Sequence, residues 1–357
     1  GLGDVYKRQT HNQEQKMKQT YKAMQVSRPG QLECVEKELP VPGPGEVLIK
    51  VEACGICGAD SGVVEGLEKS VEYPRVPGHE VVGTICKTSG PLPAWLKPGQ
   101  RVGVGRLGGH CNACEQCRLG HFNLCQNQPV TGSTRDGGYA EYMLARETGL
   151  VAIPDDLSSV DAAPLLCAGV ATFNALKKSQ AQAGDTVVIQ GIGGLGHLAL
   201  QYARKMGFRV IAVGRGDDIA REVIALGAHY YIDTNKEEAV EVIKAFGGAK
   251  VILSTITDSH AVATLLPALL PQGRLMVVGV GKAPLSFTPG LMVGRELQIN
   301  GAMTGTAIEL EKTLNFSLLV AVRAQIETRS LAQAQEAYEK MRSGKASFRM
   351  VLTMGHR

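Results

Sequence analysis

A chain of 357 residues is too long for one ordinary hydrophobic core, so two domains are expected. Its 44% hydrophobic content and 43 glycines describe a globular protein rich in tight turns, and a net charge of +4 without a long basic run gives no electrostatic case for nucleic acid or membrane partners. No apolar stretch reaches the roughly 18 residues of a membrane span and no charged-then-apolar secretory leader opens the chain, so the thiols are expected in a reducing, cytoplasmic setting.

The opening GLGDVYKRQ reads as translated adapter sequence, with Met17 or Met24 as the native start. Next, EACGICGAD holds Cys54 and Cys57, and YPRVPGHEVVG places His79 and Glu80 between a proline turn and an apolar strand. Later, APLLCAGVATF holds Cys167. Together Cys57, His79 and Cys167 supply two sulfurs and one nitrogen, the donor set of a catalytic zinc whose fourth position stays free for water or substrate. Asp60, three residues after Cys57, is placed to accept the second ring N–H of His79. Glu80, beside the histidine, is a reserve ligand that can replace an exiting one.

Between these segments, GGHCNACEQCRLGHFNLCQN carries Cys111, Cys114, Cys117 and Cys125. Nine cysteines, an odd number, argue against a closed disulfide set. A ferredoxin-type run closes with three intervening residues and a proline, whereas here seven residues precede Cys125 and Gln126 follows it. The spacing predicts one structural zinc, which gives the loop the core it lacks and, with four protein ligands, performs no chemistry. A free-thiol loop is the alternative. A nucleic-acid zinc module would need basic and aromatic neighbours, and only Arg118 and Phe122 lie nearby. Cys34 and Cys86 are expected as ordinary buried thiols.

From about Ala183 the pattern alternates between strands and helices. DTVVIQ predicts a buried strand and GIGGLG follows it at once, with Gly191, Gly193 and Gly196 in GxGxxG register around Gly194 and Leu195. Leu195, Leu198, Ala199, Tyr202, Ala203 and Met206 then recur at helical spacing up to Gly207. FRVIAVG is the second strand, and YYIDT, AKVILST and GRLMVVGV supply further ones, which predicts a doubly wound parallel sheet binding a dinucleotide. The glycines let the backbone approach the pyrophosphate at the helix N-terminus. At the end of the second strand stand Gly214 and Arg215 where an acidic residue would hold the ribose 2′-hydroxyl; Asp217 and Asp218 come later. That arrangement favours NADP(H) over NAD(H).

Taken in order, GICGAD, GHE, the four-cysteine lobe, LLCAGV and GIGGLG resemble the zinc-dependent alcohol dehydrogenases of the medium-chain dehydrogenase/reductase superfamily. The resemblance implies a GroES-like β-rich catalytic domain (24–164 and 303–357) around a Rossmann domain (165–302), with 1–23 left as an adapter-like extension. It also implies interconversion of primary or secondary alcohols with aldehydes or ketones, two zinc ions per chain, and a homo-oligomer, tetramer or dimer. It places the metal on Cys57 rather than Cys54, and puts Arg349 in GKASFRMVLTM near the cofactor pyrophosphate. Four positions depart from the family pattern. Ala59 stands where Ser or Thr passes the proton outwards, Gly58 where His or Arg is common, Gly62 where some members carry a relay histidine, and Ala171 where Thr backs the nicotinamide. Ser61 and Thr172 are the substitutes at hand, and Arg106 with Leu107 flanks the expected substrate pocket, where an arginine suits a polar or anionic substrate. These departures motivate an alternative, a catalytically impaired zinc- and nucleotide-binding relative.

Overall fold

A computed structural model describes residues 20–355. The adapter-like opening and Met17 lie outside them. Residues 20–23 belong to the fold: the strand Thr20–Gln25 pairs antiparallel with Glu33–Glu38 and buries Tyr21 and Ala23, so the boundary expected at 24 moves to residue 20 or earlier. Apolar side chains alternate along this strand, and alternation buries one face of a two-stranded ribbon.

The β-rich half is built on the long strand Glu46–Ile56, whose core face carries Val47, Ile49 and Val51. It pairs antiparallel with Val81–Thr88, with Tyr142–Arg146 and with Arg349–Thr353 from the chain's end. In that last pairing Ile56 faces Met350, so the residues just outside the ladder, Cys57 and Arg349, come to the same end of the sheet.

The second half is a six-stranded, all-parallel sheet in the order Tyr230–Asp233, Arg209–Gly214, Thr186–Gln190, Ala249–Ser254, Leu269–Val277 and Gln298–Gly301. Alternate residues of one strand serve opposite layers. Val187 and Ile189 enter the core under the helices Ala168–Lys178 and Gly196–Lys205, while Val188 enters the core on the other face with Ile243 and Val262. Such two-sided burial needs the near-continuous apolar runs that the sequence shows, and each fully buried Leu, Ile or Val contributes about 1.5–3 kcal/mol. Among the described residues no single helix is long and apolar enough to cross a membrane; the one bent pair that passes on composition, Ser159–Leu166 with Ala168–Lys178, is core.

Burial of the spare thiols differs from expectation. Cys34 and Cys86 are exposed, because each sits on the outward face of its strand; Ile85 points in, so Cys86 must point out, and its Sγ bonds the Leu48 carbonyl at 3.2 Å.

Candidate metal and dinucleotide sites

Three segments converge at the sheet end. Cys57 follows the long strand, His79 and Glu80 precede Val81–Thr88, and Cys167 starts the helix Ala168–Lys178. Their ligand atoms all lie within 4.8 Å of one another, with the Cys57 and Cys167 Sγ atoms 3.8 Å apart. All four residues are buried. Cys54 is absent from this cluster; its Sγ turns to the Gly55 carbonyl.

Asp60 orders the group. One carboxylate oxygen lies 2.9 Å from His79 Nδ1, while the other accepts the Cys57 N–H at 2.9 Å and the Tyr139 hydroxyl at 2.8 Å. The other ring nitrogen, Nε2, is buried with no hydrogen-bond partner. Orphaned buried polar atoms are rare and call for an explanation; a nitrogen fixed in orientation, facing two sulfurs, is what a metal ligand looks like without its ion. The residues therefore fit zinc. Without the ion, the shared Cys57–Cys167 contact holds the Cys57 thiol well below its usual range and the Cys167 thiol above it. Burial lowers the His79 pKa, but Asp60 and the Cys57 thiolate outweigh it and carry the imidazole to about 10.

Glu80 is fully buried and forms an ion pair with Arg349, itself buried. Burial raises the Glu80 carboxyl to about 7 although Arg349 opposes the shift. Arg349 also borders the glycine turn, since a Cβ on Gly194 would lie 3.0 Å from its guanidinium. One arginine thus stands between Glu80 and the turn Gly191–Gly196.

That turn has the form a dinucleotide needs. Gly191 has φ +90°, and a Cβ on Gly196 would fall 1.9 Å from the Gly191 carbonyl, so only glycine lets the helix Gly196–Lys205 start this close. Around Gly193 nothing lies within 4 Å of the added Cβ, which leaves the approach open. At the end of the second strand, Arg215 is exposed and lacks an ion-pair partner among the described residues. Two of the three nearby acids are engaged: Asp233 Oδ1 accepts the Gly216 and Asn235 N–H groups, and Asp217 pairs with Lys236 at 2.5 Å, while Asp218 is exposed.

In the four-cysteine lobe, Sγ separations are 3.9 Å for Cys111–Cys117 and 4.0 Å for Cys114–Cys125. N–H donors surround the sulfurs: Cys114 and Ala113 donate to Cys111 Sγ at 3.3 and 3.5 Å, and the Asn127 amide donates to it at 3.4 Å. The Asn127 bond is the largest of the effects that lower the Cys111 thiol to about 5. Leu119 and Leu124 are exposed, so the lobe has little core of its own. Four clustered, N–H-supported sulfurs fit a closed metal site.

The hydroxyl offered in place of the proton carrier, Ser61, and the one offered in place of the threonine behind the nicotinamide, Thr172, are both bonded to nearby carbonyls. Ser61 Oγ donates to the Gly58 carbonyl at 2.7 Å, and Thr172 Oγ1 to the Ala168 carbonyl at 2.7 Å. Arg106 forms an ion pair with Glu68 at 3.7 Å, and Glu68 also accepts from Ser133 Oγ at 2.6 Å. Tyr139, Glu68 and Asn127 went unnoticed in the sequence because their contacts span 79, 38 and 16 positions respectively. The glycine pair before Tyr139 was the only local signal.

An alcohol dehydrogenase GroES-like domain matches residues 43–155, and a zinc-binding dehydrogenase domain matches residues 194–318. Alcohol dehydrogenase notN of Aspergillus sp. (strain MF297-2) is 39% identical over 338 residues, covering 94% of this chain and 98% of that protein. Among solved structures, acetophenone reductase from Geotrichum candidum in complex with NAD superposes with TM-score 0.82 at 27% identity, covering 94% of this chain and 97% of that one. CAD from Helicobacter pylori complexed with NADP(H) superposes with TM-score 0.83 at 26% identity, covering 94% and 99%.

Proposed function

Because the chain belongs to the zinc-dependent alcohol dehydrogenases of the medium-chain dehydrogenase/reductase superfamily, we propose that it interconverts primary or secondary alcohols with aldehydes or ketones, using NADP(H) in preference to NAD(H). Zinc on Cys57, His79 and Cys167 supplies a Lewis acid for the alcohol or carbonyl oxygen, and the nicotinamide supplies or takes the hydride. The observation that carries the reading is the buried, partnerless Nε2 of His79 beside two sulfurs.

The chain's own residues do the rest. Asp60 fixes the His79 ring by accepting at Nδ1, which turns Nε2 towards the donor cluster. Cys57 and Cys167 would hold the zinc through two thiolates, whose charge would moderate its Lewis acidity. Glu80, next to His79, is the reserve ligand, held back by Arg349. Gly191, Gly193, Gly194, Leu195 and Gly196 cradle the pyrophosphate at a helix N-terminus, with Arg349 alongside. Gly214 leaves room for the adenine ribose and Arg215 answers the 2′-phosphate; the nearby acids Asp233 and Asp217 are already engaged, which supports NADP(H). Since Ser61 donates to the Gly58 carbonyl, proton exit past Ala59 is assigned to water.

Cys111, Cys114, Cys117 and Cys125 are assigned a second, structural zinc. A cytoplasmic homo-oligomer is also proposed. The strand Gln298–Gly301 pairs on one side only among the described residues, and an unpaired edge invites a second copy. Nothing in the site geometry favours the catalytically impaired reading.

The test is metal content with turnover. Purified protein is expected to hold two zinc ions per chain, to oxidise NADPH with a panel of linear, branched and aromatic aldehydes, and in Cys57→Ala to keep one ion and lose turnover. Zinc-loaded protein that reduces no aldehyde and oxidises no alcohol with either cofactor defeats the reading.

A further inference from the structure

Outside the donor set, one buried group is aimed at it through an intermediary. Tyr139 is fully buried and its hydroxyl donates to Asp60 at 2.8 Å, while the other Asp60 oxygen meets His79 Nδ1 at 2.9 Å. We propose that Tyr139 is a positioning residue of the metal centre, holding the Asp60 carboxylate, and through it the His79 ring, in the orientation that binds the ion. The inference rests on the zinc reading given above.

The backbone around Tyr139 is built for this contact. Gly137, Gly138 and Tyr139 donate N–H bonds to the carbonyls of Val76, Gly78 and Pro77 at 2.7, 3.0 and 3.0 Å, so the segment is laced to the turn that delivers His79. Gly78 has φ +99°, and a Cβ there would strike the Tyr139 ring at 2.4 Å; one on Gly137 would strike the Gly78 carbonyl at 2.1 Å. The side chains that would hold the ring away from the turn are absent. Met24 donates its N–H to the Tyr139 carbonyl at 2.7 Å, which fixes the residue from the far side. The ring has one position, and there its hydroxyl reaches Asp60.

Asp60 needs that donor. One of its oxygens is given to His79, and the other would otherwise answer only the Cys57 N–H. Burial with a carboxylate beside it keeps the phenol protonated and able to donate. A carboxylate held at three points cannot swing, and an imidazole whose Nδ1 is so held keeps Nε2 on the sulfurs. A residue that only filled space would do none of this through its oxygen.

Tyr139→Phe keeps the ring and removes the hydroxyl. Zinc retention is read by metal analysis after equilibration with graded chelator, with the ion in the four-cysteine lobe as internal reference, and the visible bands of the cobalt-substituted enzyme report ligand geometry. Y139F is expected to hold the ion on Cys57, His79 and Cys167 about tenfold more weakly, with shifted cobalt bands and an unchanged lobe ion. In an Asp60→Asn background the same change is expected to add no further loss. Wild-type affinity and wild-type bands in Y139F overturn the proposal, and so does an equal loss in the D60N background. Should Y139F not fold, 3-fluorotyrosine placed at 139 alone keeps the ring and strengthens the donor; cobalt bands that stay at their wild-type position overturn the proposal equally. A wild-type protein that binds no metal at Cys57, His79 and Cys167 defeats the functional reading itself, whereas normal binding in every variant defeats this inference only.

Discussion

Arg215 has an exposed guanidinium that lacks an ion-pair partner among the described residues, at the strand end proposed to tell the cofactors apart. A charge-assisted hydrogen bond contributes about 1.5–3 kcal/mol, so Arg215→Ala is expected to lower kcat/KM for NADPH by about tenfold or more and to leave NADH nearly unchanged. Steady-state kinetics with both cofactors checks this. Arg106 is different, because Glu68 already answers its charge at 3.7 Å. Glu68→Gln is expected to raise kcat/KM for a carboxylate-bearing aldehyde relative to its neutral analogue, which a two-substrate comparison reads directly. Single residues were legible in the sequence where chemistry restricts the choice, as with the cysteine and histidine donors. They were illegible where a distant partner decides the role, as with Arg106, or where the strand face does, as with Cys86. In VVGTICKT, buried Ile85 puts its neighbour Cys86 on the outward face.

At the scale of elements, the glycine turn and the cysteine lobe behave oppositely. The turn is held by close approach alone: Gly196→Ala drives a Cβ into the Gly191 carbonyl and is expected to cost about 1–3 kcal/mol by overpacking. Cofactor binding, followed by calorimetry, should fall with it while both zinc ions remain. The lobe depends on ligation. Thiols must lose protons to bind the ion, so affinity falls as pH falls. Asn127 donates to the Cys111 sulfur and favours its thiolate, so it helps the lobe keep zinc as the pH falls. Asn127→Ala removes the largest contributor, so zinc should leave at a higher pH than in the wild type, by a fraction of a unit because several thiolates are protonated together; release into a chromophoric chelator along a pH series reports it. Both elements were readable because their function fixes spacing, whereas the N–H cage around the sulfurs depends on loop geometry that spacing does not encode.

Across the whole molecule, two folding units meet through the chain's last strand. Arg349–Thr353 enters the antiparallel sheet beside Glu46–Ile56 and carries a buried guanidinium to a buried carboxylate on Glu80. Removing one member of such a pair costs about 3–5 kcal/mol because the other charge is stranded, whereas replacing both with apolar groups is often neutral. Arg349→Met is therefore expected to lower stability by that amount in urea denaturation, and Arg349→Met with Glu80→Met to recover most of it. The parallel sheet was foreseeable because burial on both faces forces apolar runs. The pairing of residues 269 positions apart was not, since nothing local to either marks the other.

The same closure sets a timetable for biogenesis. Glu80 gains its arginine, and the sheet end beside Cys57 its last strand, only when residues 349–353 are in place. Cys57, His79 and Cys167 are all in the chain well before Arg349, so the ion pair that holds Glu80 is the last part of the site to be completed, whereas the four thiols of the lobe are all present by Cys125.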